Sequence, residues 1–257
     1  MALRSFLEYA GLIDCSLSAL YLVAKSIPIK KSPGKIVEFL SEKALESFLQ
    51  QPDISKIKEF RDLVFMTLMY DTAARCSEIL DMKVSDLRLT GKHPIAYLHG
   101  KGGKTRTVPM LNKTVQYCEK YLKKYHPGVA VNSQEQLFFT IIHGEKKRMS
   151  PDAVAVFFMK YGEKAHANCE ECPAHIHPHM LRHTRAMHLY RSGMPIDLLS
   201  QYLGHSQIET TMIYAYADTE MKRASIEKAE LLSESHNKTR PIWIDNEEMI
   251  MKPSGLL

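Results

Sequence analysis

The chain has 257 residues, of which 45% are hydrophobic and 25% are charged, with a net charge of +5. This composition suits one large globular domain, or one domain and a fragment, and excludes disordered, collagenous and disulfide-stapled proteins. The charge is compatible with a polyanionic partner and equally with an ordinary solvated surface. Glu8 interrupts any signal-peptide core and no apolar stretch is long enough to span a bilayer, so we expect a cytoplasmic protein without membrane contact.

Residues 3–24 carry apolar side chains at helical spacing, which predicts two short helices with a break near Asp14. A Pro/Lys-rich connector follows at residues 27–35. Two helices bury too little surface to fold alone, so we interpret residues 1–35 as a remnant of a larger N-terminal helical domain plus a linker.

Residues 36–232 have the pattern of a mainly α domain with a small antiparallel β-sheet. The predicted helices cover residues 41–49, 58–70, 75–82, 113–125, 152–162, 179–192, 196–203, 208–216 and 219–232. The predicted strands cover residues 84–89, 95–99 and 105–109, with the glycine-rich segment 100–104 at a hairpin turn. The tail, residues 233–257, is polar at first and then acidic and apolar.

Seven of the twelve histidines lie between His166 and His205. Within this region, His179 and Arg182 are three residues apart and therefore project from one face of a helix. His205 follows, and Tyr214 comes nine residues after it. Two further basic side chains lie upstream, Arg75 in Ala-Arg-Cys-Ser-Glu and Lys101 at the predicted hairpin.

A phosphodiester is the substrate that this set of side chains suits. Two guanidinium groups bind both non-bridging oxygens and neutralise charge in a pentacovalent transition state. A tyrosine can attack phosphorus if cationic neighbours or a base assist it, and a lysine or histidine can protonate the departing alkoxide. This chemistry needs no metal.

Five motifs in order resemble those of the tyrosine site-specific recombinases, the phage integrase family, over roughly residues 39–232. They are Ala-Arg-x-Ser-Glu, Gly-Lys-Gly-x-Lys-x-Arg, His-Pro-His-x-Leu-Arg-His-Thr, Leu-Gly-His-Ser and Thr-Thr-x-x-Tyr. The resemblance implies that Arg75 and Arg182 clamp the scissile phosphate and that Lys101 protonates the leaving 5′-oxygen. It also implies that His179 assists proton movement near the nucleophile and that His205 hydrogen-bonds the phosphate.

By the same resemblance, Tyr214 attacks phosphorus and leaves a 3′-phosphotyrosyl link and a free 5′-hydroxyl, with no cofactor. Glu78 matches an acidic residue that supports Arg75 and a histidine. Lys104 is a rival of Lys101 for the catalytic role, and Lys104 and Arg106 are expected to bind DNA.

Several residues carry simpler interpretations. His183 is interpreted as structural, and Tyr216 competes with Tyr214 as nucleophile, although helical geometry prevents both from facing one phosphate. Four residues have zinc-like types without the usual spacing, and we expect reduced thiols and no metal there: Cys169, Cys172, His175 and His177.

We therefore expect a site-specific recombinase or integrase that acts on double-stranded DNA and forms a homo-oligomer on it, a tetramer in the synaptic complex. Two alternatives remain open from the sequence: type IB topoisomerase-like relaxation, and a truncated, non-catalytic DNA-binding regulator. The N-terminal remnant leads us to expect weak, poorly selective DNA binding. The resemblance suggests that the tail docks on a neighbouring protomer, while folding back on its own domain is the alternative.

Overall fold

The computed structural model describes residues 2–28, 37–100 and 102–218, together with residues 223 and 226. Backbone contacts divide the chain into two units, residues 1–36 and residues 37–257. Apart from residues 223 and 226, the predicted helix at 219–232 and the tail at 233–257 lie outside the described residues. Within the described part, no helix is both long and apolar enough to cross a membrane.

The first unit consists of helices α1 (Ala2–Ile13) and α2 (Ser18–Ser26), joined by a 3-10 turn at Cys15–Leu17. Asp14 ends α1 and caps the turn, since its carboxylate accepts the Ser16 N–H at 2.9 Å. The predicted break near Asp14 is confirmed. No described side chain of this unit is buried.

The second unit contains eight described helices and five described strands. The helices are α3 (Glu42–Leu49), α4 (Ile57–Thr72), α5 (Cys76–Leu80), α6 (Asn112–Tyr125), α7 (Pro151–Asn168), α8 (Pro178–Arg191), α9 (Ile196–Leu203) and α10 (Met212–Ala217). The strands are β1 (Leu87–Arg88), β2 (Ile95–His99), β3 (Thr105–Pro109), β4 (Phe139–Ile142) and β5 (Glu145–Arg148). The expected mainly α fold with a small antiparallel sheet is confirmed.

Helix α4 lies at the centre of this unit, because side chains all around it are buried, Phe65 and Met66 completely. It packs against α6 on one side and α8 on another. A second, smaller apolar cluster lies among the ends of α4, α8, α9 and α10, and Tyr214 is one of its members. The predicted nucleophile is therefore held by packing as well as by polar contacts.

Strands β1, β2 and β3 form an antiparallel sheet in that order. His99 pairs with Thr105, and the Gly100 N–H donates to the Lys104 carbonyl at 2.7 Å, which closes the predicted hairpin. Lys101 lies outside the described residues. The strand predicted at 84–89 was wrong over its first half. The Asp86 carboxylate accepts the Lys83 N–H at 2.8 Å and stabilises a 3-10 turn there.

Three other elements differ from the prediction. The helix predicted at 208–216 is a 3-10 turn at Ile208–Thr210 followed by α10 from Met212. Helix α7 continues past Gly162, the predicted end, to Asn168, and Gly162 is buried inside it against Ile176. The β4–β5 hairpin was not predicted, since β5 is fully exposed and consists only of charged residues. Its turn at His143 and Gly144 uses positive φ angles of 53° and 83°.

Candidate active site

Five polar side chains from four parts of the second unit form one cluster, which we call the arginine pocket. Its members are Arg75 and Glu78 at the start of α5, Arg106 on β3, Arg182 on α8 and His205 just after α9. Hydrogen bonds link Arg75 and Arg106 to Glu78, and Arg182 to His205. Residues far apart in sequence are thereby assembled into one site.

Arg182 is a buried cation with neutral partners. Its side chain donates to the Ala73 carbonyl at 2.6 Å, to the Leu203 carbonyl at 2.7 Å and to the His205 Nε2 at 3.0 Å. Among the described residues, no carboxylate forms an ion pair with it, and only 1% of its surface is exposed. Burial, together with the charges of Arg75 and Arg106, lowers the Arg182 pKa to about 10, so it stays protonated at neutral pH.

The acceptors for Arg182 lie at two helix ends. Ala73 directly follows α4 and Gly204 directly follows α9, and both residues adopt the left-handed conformation, with φ of 48° and 65°. Such ends leave carbonyl groups free of the helical ladder. The Ala73 and Leu203 carbonyls bind Arg182 instead of water, so the fold builds its cation site from backbone oxygens.

His205 is fixed as a neutral tautomer. The Arg182 guanidinium can only donate, so His205 Nε2 accepts, and the remaining N–H at Nδ1 donates to the Thr211 hydroxyl at 2.8 Å. Burial, and then the charges of Arg182, Arg75 and Arg106, lower its pKa to about 4. Thr211 is buried and begins α10, so it ties His205 to the helix that carries Tyr214.

Glu78 binds two arginines at once. Its carboxylate accepts the Arg75 backbone N–H at 2.8 Å and the Arg75 Nη1 at 2.9 Å, as well as the Arg106 Nη1 at 2.9 Å and Nη2 at 2.8 Å. Burial alone would raise the Glu78 pKa, but the hydrogen bonds and charges of Arg106 and Arg75 lower it to about 2. The side chain is therefore ionised at neutral pH, and it holds Arg75 in place.

The contacts of Arg106 differ from those expected of a DNA-binding side chain. Besides the two bonds to Glu78, its Nε donates to the Tyr202 carbonyl at 3.1 Å, and only 13% of the side chain is exposed. It also packs against Gly204, where a Cβ would meet the Arg106 Cδ at 3.0 Å. In the described contacts, Arg106 takes the place beside Glu78 that the resemblance gave to a histidine.

Tyr214 is 1% exposed, and its hydroxyl lies 2.9 Å from the His183 Nδ1. Burial raises the pKa of Tyr214 to about 12, against the opposing charge of Arg182. Burial lowers the pKa of His183 to about 4, with help from the charges of His179, Arg182 and His177. Tyr216, the rival nucleophile, is 70% exposed.

His183 is the site residue that sequence reasoning missed. We interpret it from sequence as structural and place His179 near the nucleophile, but the hydrogen bond to the Tyr214 hydroxyl comes from His183. His179 is exposed and packs edge-on against His183, with ring centroids 4.8 Å apart. A signal was available, since residues four apart share a helix face and His183 is four residues after His179.

The structure brings together Tyr214, His183 and the arginine pocket, as well as His179 at its edge. Lys101 lies outside the described residues, and Lys104 is exposed beside the hairpin turn. In the described ranges, no group of three or more His, Cys, Asp or Glu side chains is placed to hold a metal ion. Cys169 and Cys172 are buried free thiols.

A mainly helical domain with an arginine pocket beside a buried tyrosine hydroxyl is the architecture of the tyrosine recombinases, a class of DNA-cleaving and rejoining enzymes. A model of the phage integrase family matches residues 38–221. The chain belongs to this family.

Its relatives carry the names of recombinases. It is 29% identical over 231 residues to the tyrosine recombinase XerA of Pyrococcus horikoshii, covering 90% of this chain and 72% of that protein. It is 30% identical over 190 residues to the tyrosine recombinase XerD of Staphylococcus epidermidis, covering 74% of this chain and 61% of that protein. It is 31% identical over 242 residues to the putative integrase/recombinase y4rC of Sinorhizobium fredii, covering 93% of this chain and 70% of that protein.

Solved structures share the fold. The XerH recombinase bound to a palindromic difH substrate, in a post-cleavage complex, matches 89% of this chain and 72% of its own with a TM-score of 0.62 and 20% identity. The Tn1549 transposon integrase in complex with circular intermediate DNA matches 83% of this chain and 77% of its own with a TM-score of 0.60 and 22% identity.

Proposed function

We propose that this chain is a site-specific recombinase that breaks and rejoins DNA strands through a 3′-phosphotyrosyl link to Tyr214, without metal or ATP. The observation that carries the proposal is Arg182, a buried guanidinium next to the nucleophile that has neutral partners only. A buried cation whose hydrogen-bond partners are all neutral is costly, and an incoming phosphodiester supplies a negative charge in direct contact with it.

The charge of the arginine pocket supports this substrate. Arg75, Arg106 and Arg182 bring three positive charges and Glu78 brings one negative charge, while the depressed pKa of His205 keeps it neutral. The excess positive charge matches the one charge of a phosphodiester and the larger charge of its pentacovalent transition state.

Within this pocket, we propose that Arg75 and Arg182 bind the two non-bridging oxygens of the scissile phosphate. Arg75 is suited to this role because Glu78 orients it while 39% of its side chain remains exposed. To donate to a phosphate oxygen from Nε2, His205 would change tautomer, and the Thr211 hydroxyl would then donate to Nδ1 and keep the ring in place. We propose that Lys101 protonates the leaving 5′-oxygen, since it lies between β2 and β3 in sequence and β3 carries Arg106 of the arginine pocket.

Double-stranded DNA is the partner that we propose. The XerH recombinase and the Tn1549 integrase, which share this fold, were solved in complex with difH substrate and with circular intermediate DNA. We propose that exposed Lys104 contacts the DNA backbone near the pocket, and that the chain acts in the cytoplasm as a homo-oligomer, tetrameric when two sites are synapsed. Relaxation of supercoils and non-catalytic regulation are not favoured, because the relatives are named recombinases.

A nicked suicide substrate tests the proposal. The duplex carries a site that this chain has selected from a random-sequence library, and the nick lets the 5′-hydroxyl fragment diffuse away so that the covalent adduct accumulates. We expect an adduct stable to denaturing gels with the wild type and with Tyr216→Phe, and none with Tyr214→Phe. An adduct in Tyr214→Phe, or none in the wild type, would contradict the proposal.

A further inference from the structure

The hydroxyl of Tyr214 has a specific polar partner, the Nδ1 of His183, at 2.9 Å. We propose that His183 is a catalytic residue, whose Nδ1 accepts the phenolic proton of Tyr214 as the tyrosine attacks phosphorus. The inference rests on the proposed function, because it concerns the same nucleophile.

The fold holds His183 in register with the phosphate-binding site. His183 follows Arg182 directly on α8, and the three hydrogen bonds of Arg182 fix this turn of the helix. Tyr214 is fixed from the other side, because its helix starts at Thr211, which is bonded to His205. The distance between Nδ1 and the hydroxyl is therefore set by both helices and is already within hydrogen-bond range.

Charge decides which partner holds the proton at rest. Burial first, and then His179, Arg182 and His177, keep His183 neutral, and burial keeps the Tyr214 phenol protonated. A neutral imidazole has one acceptor nitrogen. With Nδ1 in that role, the phenol donates to it, and the resting nucleophile is unreactive.

A bound phosphodiester changes this balance. Its negative charge offsets the field of Arg182 at His183, so the imidazole binds a proton more readily. In the attack, the Tyr214 oxygen forms a bond to phosphorus, the phenolic proton moves to Nδ1, and the bond from phosphorus to the 5′-oxygen breaks. The 5′-oxygen takes its proton from the general acid, which we propose to be Lys101. In the rejoining step, the proton on Nδ1 returns to the departing phenolic oxygen.

The chain contains a matched control on the same helix. His188 Nδ1 lies 2.9 Å from the Tyr70 hydroxyl, and this pair is outside the arginine pocket. Asparagine at either position can keep a hydrogen bond near Nδ1 but cannot take up a proton.

The experiment measures the rate of adduct formation on the suicide substrate at saturating DNA for wild type, His183→Asn and His188→Asn, with thermal melting of each. We expect His183→Asn to be slower by about 10²-fold or more, the usual contribution of general acid–base catalysis, and His188→Asn to stay within about threefold of wild type. Site-specific 3,5-difluorotyrosine at position 214 lowers the phenol's proton affinity. In His183→Asn, this substitution should raise the rate of adduct formation at least tenfold. No such increase is expected if His183 only positions Tyr214.

Two results would overturn the inference: a folded His183→Asn with wild-type rate, or a slow variant that the more acidic phenol does not rescue. If His183→Asn melts below the assay temperature, His183→Gln is tested in the same way. The wild-type protein distinguishes the two failures. If the proposed function is wrong, the wild type forms no Tyr214 adduct; if only the role of His183 is wrong, the wild-type adduct still forms.

Discussion

Helix α8 carries two histidine–tyrosine pairs with the same local geometry and different surroundings. His183 meets Tyr214 and His188 meets Tyr70, each with 2.9 Å between Nδ1 and the phenolic oxygen. In both pairs, burial lowers the histidine pKa and raises the tyrosine pKa. The hydrogen bond alone therefore does not distinguish a reactive tyrosine from a structural one.

The nearby arginines make the difference. Beside Tyr70, the guanidinium of Arg185 donates to the Asp71 carboxylate at 3.1 Å and lies 5.2 Å from the ring centroid of Tyr70. Its charge is compensated within the protein. Beside Tyr214, the contacts of Arg182 are neutral backbone oxygens and an imidazole, so its charge is left for a ligand. The two pairs therefore differ in whether the nearby arginine has a carboxylate partner, and not in the histidine–tyrosine contact itself.

The strongest test of this comparison replaces each arginine with methionine. Arg182→Met should reduce adduct formation by about 10²- to 10³-fold, the usual cost of losing one preorganised donor to a transition-state oxyanion. Its stability should change by no more than about 1–3 kcal/mol, since two carbonyls lose a donor while an uncompensated buried charge disappears. Arg185→Met should destabilise the fold by about 3–5 kcal/mol, because it leaves the buried Asp71 charge unpaired.

Urea denaturation and the suicide substrate assay provide the two readouts. The comparison fails if Arg185→Met is as stable as the wild type, or if Arg182→Met keeps wild-type cleavage while losing more stability than Arg185→Met.

Most helices could be predicted from local sequence patterns, but the places where tertiary contacts extend or interrupt a helix could not. The bounds of α9 (Ile196–Leu203) match the prediction, because its apolar spacing and Gly204 mark both helix and end. Gly162 is the same residue type with the opposite outcome, since it lies inside α7 and packs against Ile176. That contact is tertiary and leaves no signal near the glycine in sequence.

The candidate site shows the same limit. The motifs identify Arg75, Arg182 and Tyr214, but they do not say which arginine has a carboxylate partner. Asp71 and Arg185 are 114 residues apart in sequence, and only the fold pairs them. The roles of His183 and Arg106 likewise depend on which neighbour each side chain contacts.

Arg106 shares a feature with each of these two arginines. Like Arg182 it lies in the arginine pocket, and like Arg185 it has a carboxylate partner, Glu78. We propose it as a positioning residue that aligns Glu78, and through it Arg75, with the β2–β3 hairpin. Arg106→Gln should lower the rate of adduct formation at saturating DNA by about 10-fold, with little change in DNA affinity. Lys104→Ala, at an exposed position two residues away, should instead weaken DNA binding and reduce the salt dependence of the affinity, with the saturated rate unchanged.

Titrating affinity against salt, and measuring the rate at saturating DNA, separates the two effects. A drop in the salt slope for Arg106→Gln without a change in saturated rate would show that Arg106 binds phosphate directly, as the sequence first suggested.

The smallest expected effect is on acid stability. His183 and His205 have pKa values lowered to about 4 in the folded chain, whereas an unfolded histidine titrates near 6.5. Between these values the unfolded chain binds protons that the folded chain does not, so the free energy of unfolding falls as pH falls from about 6.5 towards 4. His183→Asn removes one of these groups. Its loss of stability between pH 6.5 and pH 5 should therefore be smaller than that of the wild type, by on the order of 1–2 kcal/mol.

The groups around His183 that oppose its protonation are Arg182, His179 and His177, all on or next to the first turns of α8. Urea denaturation at pH 6.5 and at pH 5 measures the difference for the wild type and for His183→Asn. Equal acid sensitivity in the two proteins would mean that His183 titrates in the folded chain as it does in the unfolded one. Neither burial nor the charges of His179 and Arg182 would then act on His183, and the distinction between the His183–Tyr214 pair and His188–Tyr70 would lose its electrostatic basis.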